Sequence, residues 1–129
     1  MEAMDEVNVV VRTPLHATER REAVEEAVRN LFPDAETEEE NGTLVGRAED
    51  VGRLRELIDR QEIHETVREK LNESVVGDTF VFRLSKQPAT VERLNFDVGG
   101  HELGALRVRV EADDPDAFVD YVTGAETDV

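Results

Sequence analysis

The chain has 129 residues, enough for one domain with a single core and too few for two. It has no Cys and no apolar run of 18 residues, which excludes disulfides, thiolate metal sites and a membrane-spanning helix. The formal net charge is −16, and Lys occurs only twice. Molar salt shortens the Debye length to about 3 Å, so the repulsion between so many carboxylates is tolerated there. The composition therefore predicts a cytoplasmic protein of a salt-loving archaeon, with an ordinary acidic protein as the alternative.

The first half of the chain predicts a strand, a helix and a hairpin. Valines alternate along residues 7–13, as in a strand with one buried face. Thr18 is the predicted N-cap of a helix whose apolar stripe runs to residue 32. Asn41 and Gly42 suit a tight turn with positive φ, so residues 35–48 are predicted to form a hairpin.

The next segment predicts a helix that is interrupted. Asp50 is a candidate cap, and Leu54, Leu57 and Ile58 share one stripe. A continuous helix would place the next apolar residues near 61 and 65, but they resume at 63 and 67. Residues 60–62 are therefore predicted to be a kink or a joint between two helices.

The last third predicts strands and a final helix. Residues 79–84 alternate as a strand that ends before Pro88, and residues 94–96 predict a further strand followed by a turn at Gly99 and Gly100. Residues 106–110 alternate most regularly of all. Asp114 is the predicted cap of a closing helix, with Pro115 at its first position.

These elements indicate an α+β fold, a mostly antiparallel sheet with helices packed on one face. The other face of the sheet is then the expected working surface. Residues 1–123 are predicted to form a single domain, and residues 124–129 a disordered acidic tail.

Motifs for catalysis or metal binding are missing from the sequence. There is no phosphate loop, no nucleophile elbow and no zinc-binding helix, and the three His residues have no ligand spacing. The acidic run 113–116 could hold a cation, but helix capping explains it more simply. We therefore expect no cofactor, no metal and no enzyme; a small enzyme that uses Lys86 or His64 is the less favoured alternative.

Basic residues concentrate in one part of this acidic chain, with 11 of the 15 between positions 47 and 109. Arg83 shares a strand face with Val81, and Arg107 with Arg109, so their guanidinium groups are predicted to project from one side of the sheet. Such a surface suits RNA phosphates and 2′-hydroxyls, whereas pairing with the abundant carboxylates is the plainer alternative. The candidate binding residues are Arg60, Gln61, Arg68, Lys86, Gln87, Arg93, Asn95 and Arg107.

Four blocks of the chain form a recognisable pattern. They are Phe32 to Ala35, Leu54 to Leu57 with Arg60, Gln61, Ile63, Thr66 and Arg68, then Phe82, Leu84, Lys86, Gln87, Ala89, Val91, Arg93, Asn95 and Phe96, and finally Leu103, Gly104, Leu106 to Val108 and Glu111 to Pro115. In these blocks the chain resembles an archaeal family of unestablished activity, whose fold is similar to the 5S-RNA-binding ribosomal protein of the large subunit. Ser85 and Pro88 depart from the pattern expected there, and the proline removes a backbone donor.

The resemblance implies this fold, a haloarchaeal member of the family, and RNA as a partner. Two hypotheses follow. The first is a non-catalytic RNA-binding or RNA-processing accessory protein. The second is a protein-interaction or self-assembly module, such as a homodimer, in which Arg60 and Gln61 fasten the helix joint to the loop at 85–89 by hydrogen bonds.

Overall fold

A computed structural model of the protein describes residues 6–97 and 104–124. These residues form one six-stranded sheet in the order β2-β3-β1-β6-β5-β4, and every neighbouring pair is antiparallel. The elements in chain order are β1 (Val7–Pro14), α1 (Arg21–Leu31), β2 (Glu36–Glu40), β3 (Thr43–Ala48), α2 (Gly52–Gln61), α3 (His64–Ser74), β4 (Val75–Val76), β5 (Thr79–Ser85), α4 (Lys86–Ala89), β6 (Ala105–Ala112) and α5 (Pro115–Val122).

Most of the buried side chains of the sheet lie on one face, and the packing of the helices there confirms the predicted α+β class. Along β1, β5 and β6 every second residue is buried, so the apolar side chains point together toward the helices. Phe80 of β5 meets Phe118 of α5 with ring centroids 5.0 Å apart in the middle of this core. The opposite side of the sheet, which we call the open face, carries the intervening residues.

The helix joint lies where the slipped apolar stripe predicted it. Helix α2 ends at Gln61, and Glu62 adopts a left-handed conformation with φ 57° before α3 begins at His64. A left-handed residue stops a helix because its backbone cannot continue the regular hydrogen bonds. The turn between β2 and β3 is also confirmed, with positive φ at Asn41 and Gly42.

Two predictions about local structure were wrong. Thr18 does not cap α1: the N-cap is Arg20, which makes no side-chain capping bond, because residues 16–19 form a separate turn closed by a hydrogen bond from the Glu19 amide to the His16 carbonyl. Residues 94–96 form no full strand and share a single bridge with β5, between Leu84 and Phe96. Neither the two-residue β4 nor the one-turn α4 was predicted.

The predicted cap of the final helix is confirmed, whereas other predictions concern residues that the structure does not describe. Asp114 caps α5 as expected, and its Oδ1 accepts a hydrogen bond from the Ala117 amide at 3.1 Å. The turn predicted at Gly99 and Gly100 and residues 125–129 of the predicted tail lie outside the described residues. Within the two described ranges, no helix has the length and apolar character needed to cross a bilayer.

Candidate functional site

A cleft of about 1000 Å³ opens between α1, α3 and the segment that follows β5. Its wall includes apolar side chains from each of these parts, among them Val24, Ile63, Leu94 and Phe96. Basic and amide side chains stand around this apolar floor. The cleft is large enough for a nucleotide-sized or drug-sized ligand, since such sites commonly measure about 300–1000 Å³.

The charge of this cleft is opposite to that of the whole molecule. Among the described residues, its lining contains four basic side chains, Arg20, Lys70, Lys86 and Arg93, and one acidic side chain, Glu19. The chain as a whole has a formal charge of −16. A cleft with this bias in an anionic protein concentrates anionic groups of a ligand, because low-dielectric walls focus the local field.

Lys86 is held in a buried ion pair on one side of the cleft. Its side chain is 7% exposed and that of Glu19 is 10% exposed. The Lys86 ammonium donates to Glu19 at 3.1 Å and to the Pro14 carbonyl at 2.9 Å. The same carboxylate accepts from the His16 amide at 3.0 Å. These contacts join the start of α4 to the loop before α1, so the ammonium is committed to holding the cleft together.

Gln61 is also committed to the protein itself. Its amide nitrogen donates to the Leu94 carbonyl at 3.0 Å, and its amide oxygen accepts from the Leu94 amide at 2.7 Å. This pair imitates a strand ladder and fastens the end of α2 to the segment after α4. The self-assembly hypothesis predicted hydrogen bonds from Arg60 and Gln61 to the loop at 85–89. Gln61 bonds instead to Leu94, five residues beyond that loop.

The remaining cationic side chains of the cleft are exposed. Arg20, Lys70 and Arg93 make no side-chain hydrogen bond or ion pair with any residue in the described ranges. Gln87 and Asn95 are exposed beside them and line the same cleft. Three charges and two amides are therefore available to a ligand without breaking any contact inside the protein.

The structure brings five of the eight predicted binding residues together, and Gln61, Lys86, Gln87, Arg93 and Asn95 all line the cleft. The other three lie elsewhere. Arg60 is exposed at the end of α2, away from the cleft lining. Arg68 ties α3 to α5 by donating to Asp120 at 3.2 Å and to Thr123 at 2.6 Å. Arg107 lies on the open face.

Two cleft residues were missed from the sequence. Lys70 had a readable signal, because Ile63, Thr66 and Lys70 follow a spacing of three and four residues and therefore share one face of α3. Arg20 had no such signal in the sequence. It directly precedes α1, and only the tertiary fold places it next to the segment after β5.

The other titratable groups form no second centre in the described chain. Within residues 6–97 and 104–124, no three His, Asp or Glu side chains come together as a metal site. His64 contacts Asp59 at 3.1 Å on the surface, five positions earlier in the chain. Asp114 is occupied in capping α5.

Comparison with known proteins identifies a family model and relatives that this chain resembles. Residues 8–112 match a family model described as RNA binding. A UPF0201 protein of Methanothermobacter thermautotrophicus is 34% identical over 123 residues, which are 92% of this chain and 91% of the relative. A UPF0200/UPF0201 protein of Archaeoglobus fulgidus is 37% identical over 90% of this chain, but the chain spans only 37% of that relative's length.

Solved structures agree with the sequence relatives. The crystal structure of an uncharacterised UPF0201 protein superposes with a TM-score of 0.83 at 36% identity, covering 90% of this chain and 92% of the other. The UPF0201 protein of Methanococcus jannaschii gives a TM-score of 0.82 at 27% identity, with 90% and 98% of the two chains covered. Together with the match over residues 8–112, these relatives show that the chain belongs to the archaeal UPF0201 family.

Proposed function

We propose that this protein is a non-catalytic RNA-binding or RNA-processing accessory protein and that it holds RNA in the cleft between α1, α3 and the segment after β5. The observation that carries the proposal is a group of three exposed cations around an apolar floor in a molecule of charge −16. These cations, Arg20, Lys70 and Arg93, pair with no side chain in the described parts of the chain. The description of the matching family model supports the same partner.

Each kind of side chain in the cleft suits one part of a ribonucleotide. The guanidinium groups of Arg20 and Arg93 and the ammonium of Lys70 suit phosphate oxygens. The amides of Gln87 and Asn95 donate and accept, as base edges and 2′-hydroxyl groups require. The apolar floor offers a surface for a base or a sugar. Single-stranded RNA is the form whose bases are free to enter such a cleft.

Salt limits how this site can work. We propose that the protein acts in the cytoplasm of a salt-loving archaeon, as its acid-rich, Lys-poor composition suggests. Four phosphate contacts alone would lose about 600-fold in affinity between roughly 0.2 and 2 M salt, from a slope of about −0.7 per contact. Hydrogen bonds from the amides and contact with the apolar floor must therefore supply much of the binding at high salt.

Titration of a labelled, short single-stranded RNA in about 2 M KCl tests the proposal, followed by fluorescence anisotropy. The cleft variant Arg20→Gln/Lys70→Gln/Arg93→Gln is expected to bind at least about tenfold more weakly than the native protein, because it loses three phosphate contacts. The control variant Arg21→Gln/Arg47→Gln/Arg60→Gln makes the same change of net charge outside the cleft. An equal loss in both variants, or no binding by the native protein, would overturn the proposal.

A self-assembly role remains as a second candidate because of the edge of the sheet. Strand β4 has only two residues and closes one edge, where Val76 is 81% exposed. An exposed apolar residue on a short edge strand can pair with a second copy. Light scattering over a range of protein concentrations tests it: a rise toward twice the mass of one chain supports a homodimer, and the mass of one chain throughout rejects it.

The fold analogy also remains a proposal. We propose that the arrangement of one antiparallel sheet and helices on one face is related to the 5S-RNA-binding ribosomal protein of the large subunit, as the sequence blocks suggest. That kinship would favour structured RNA as the partner, although a shared fold does not by itself transfer a binding site.

A further inference from the structure

Three arginines stand side by side on the open face of the sheet. The register pairs Arg12 of β1 with Arg107 of β6, and Arg107 with Arg83 of β5. Directly opposed residues of an antiparallel sheet have Cβ atoms about 4.5–5.5 Å apart and share one face. We call this set, Arg12, Arg107 and Arg83, the arginine row. Arg109 lies two residues further along β6, opposite Val10 and Val81.

Among the described residues, an acidic side chain pairs with only one member of this row. Arg83 and Arg107 are exposed and make no ion pair or side-chain hydrogen bond with a residue in the described ranges, and Arg12 only approaches Glu40 at 3.8 Å. The other side of the same face differs: Arg47 of β3 lies opposite Glu36 and donates to Glu38 at 3.0 Å. Like charges placed directly opposite each other lower the stability of a sheet.

This cost indicates a ligand. The chain has 31 acidic residues, and an acid at one position of the row would have replaced the repulsion by an ion pair, such as the pair that Arg47 makes with Glu38. Residues that break a local stabilising rule are where binding is expected. An anionic partner laid across the three strands would turn the repulsive row into a set of charge-assisted hydrogen bonds.

The shape and composition of the open face decide which anion fits. Its described strands present no aromatic side chain, since the Phe residues of β5 point into the core at positions 80 and 82. Unpaired bases bind to sheets by stacking on aromatic rings, so this surface is unsuited to them. Double-helical RNA is recognised by its phosphates, its 2′-hydroxyl groups and its shape, and it needs no stacking surface.

The open face and the cleft are connected around one edge of the sheet. A groove of about 630 Å³ is lined by Arg83 and Arg107 of the row, by Lys70 and Phe96, and by the carboxylates of Glu73 and Asp97. Lys70 and Phe96 also line the cleft. A bound RNA could therefore cross from one surface to the other along a path with basic side chains on both sides of the edge.

We propose that the open face binds the sugar-phosphate backbone of double-helical RNA through the arginine row, next to an unpaired strand that occupies the cleft. The inference rests on the proposed function and names the class of RNA that the protein takes. The partner is a stem with a single-stranded extension, and the groove past Lys70 leads the strand from the stem into the cleft.

Three labelled probes separate the two surfaces: a blunt RNA duplex, one of its strands alone, and the duplex with a single-stranded extension. For Arg12→Gln/Arg83→Gln/Arg107→Gln we expect at least about tenfold weaker binding of the blunt duplex and a salt slope reduced by about 2 to 3, with less than about a twofold change for the single strand. A control variant with the same change of net charge on α1 and α2, Arg21→Gln/Arg29→Gln/Arg60→Gln, should leave both affinities unchanged. The extended duplex should bind the native protein more tightly than either simpler probe.

The outcomes distinguish this inference from the proposed function. Binding of the single strand without binding of the duplex would overturn the arginine row and leave the cleft in place, whereas binding of no probe would overturn both. Thermal unfolding verifies that the row variant is folded, and its midpoint should equal or exceed that of the native protein because a repulsion is removed. If light scattering shows that the row variant dissociates a native dimer, the row is a subunit contact and the inference is wrong.

Discussion

The buried and the exposed regions of the cleft lining use similar polar residues in opposite ways. Lys86 and Gln61 are engaged in internal bonds, to Glu19 and to the backbone of Leu94. Lys70 and Gln87 are exposed and bond to no side chain in the described ranges, although Gln87 directly follows Lys86 in the chain. The difference teaches that the residue type does not reveal its role: burial and a partner brought from elsewhere in the chain decide whether a polar group holds the fold or meets a ligand.

The two lysines of the chain give the largest test of this contrast. Lys86→Met is expected to lower the free energy of unfolding by about 3–5 kcal/mol, because it leaves the carboxylate of Glu19 buried without its partner. Lys70→Met, at an exposed position, should change it by less than about 0.5 kcal/mol. Urea unfolding at constant KCl measures both. Equal effects of the two substitutions on the free energy of unfolding would contradict the distinction between the buried and the exposed polar residues of the cleft.

Substitution of the two glutamines of the cleft makes the same comparison, with a smaller expected change in the free energy of unfolding. Gln61→Ala leaves the amide and carbonyl of the buried Leu94 without partners, and we expect a loss of about 1–3 kcal/mol. Gln87→Ala should cost less than about 0.5 kcal/mol because its side chain is exposed. The same unfolding experiment measures both, and a Gln61 variant as stable as the Gln87 variant would contradict the fastening role.

A carboxylate outside the cleft lining, that of Glu25, gives a pH-dependent effect of about 1 kcal/mol. The hydrogen bond from the Thr37 hydroxyl to Glu25, at 2.9 Å, lowers the pKa of Glu25, with a further contribution from Arg21. A lowered folded-state pKa stabilises the protein above the unfolded pKa, and that stability is lost as the pH falls through the folded value. Thr37→Val should therefore cost about 1 kcal/mol near neutral pH and progressively less in acid.

Unfolding curves of the native and Thr37→Val proteins across the acid range check this sign. Thr18→Val serves as the control, because Thr18 is exposed and caps nothing. A difference between the native and Thr37→Val proteins that grows as the pH falls would contradict the assigned cause of the Glu25 pKa shift.

The smallest change in stability is expected when the exposed cations of the cleft are substituted. The cleft variant Arg20→Gln/Lys70→Gln/Arg93→Gln should have a free energy of unfolding within about 0.5 kcal/mol of that of the native protein in molar KCl. The three native side chains bond to no residue that the structure describes, and salt screens the added negative charge. Thermal unfolding measures it. A large loss would show that these cations hold the fold, as Lys86 does, and would remove the main support for a ligand there.

The sequence pattern alone predicted those elements of the fold that depend on the residue types of one short segment. Alternation predicted β1, β5 and β6, positive φ at Asn41 and Gly42 follows from residue type, and the slipped stripe predicted the joint at 60–62. Strand β4 and helix α4 are too short to show a period, so no pattern could reveal them. The short segment at 94–96 was overpredicted because Leu94 and Phe96 pack against the core from an irregular backbone.

The site was predictable only in part for a different reason. Residues 85–95 belong to one segment, so Gln87, Arg93 and Asn95 reach the cleft together once that segment is placed. The partner of Lys86 lies 67 positions away, and Arg20 joins through the same long-range contact between the loop before α1 and α4. No periodicity links such distant positions, so their convergence is a property of the sheet and helices that hold them.

Ultraviolet crosslinking of the native protein to the duplex with a single-stranded extension, in about 2 M KCl, tests the central claim most directly when the crosslinked peptides are identified by mass spectrometry. The account predicts that the crosslinks fall on residues 85–96, on α3 near Lys70 and on the segment around Arg20, and that they disappear in the cleft variant. Crosslinks spread evenly over the acidic surface, or none at all in molar salt, would contradict it.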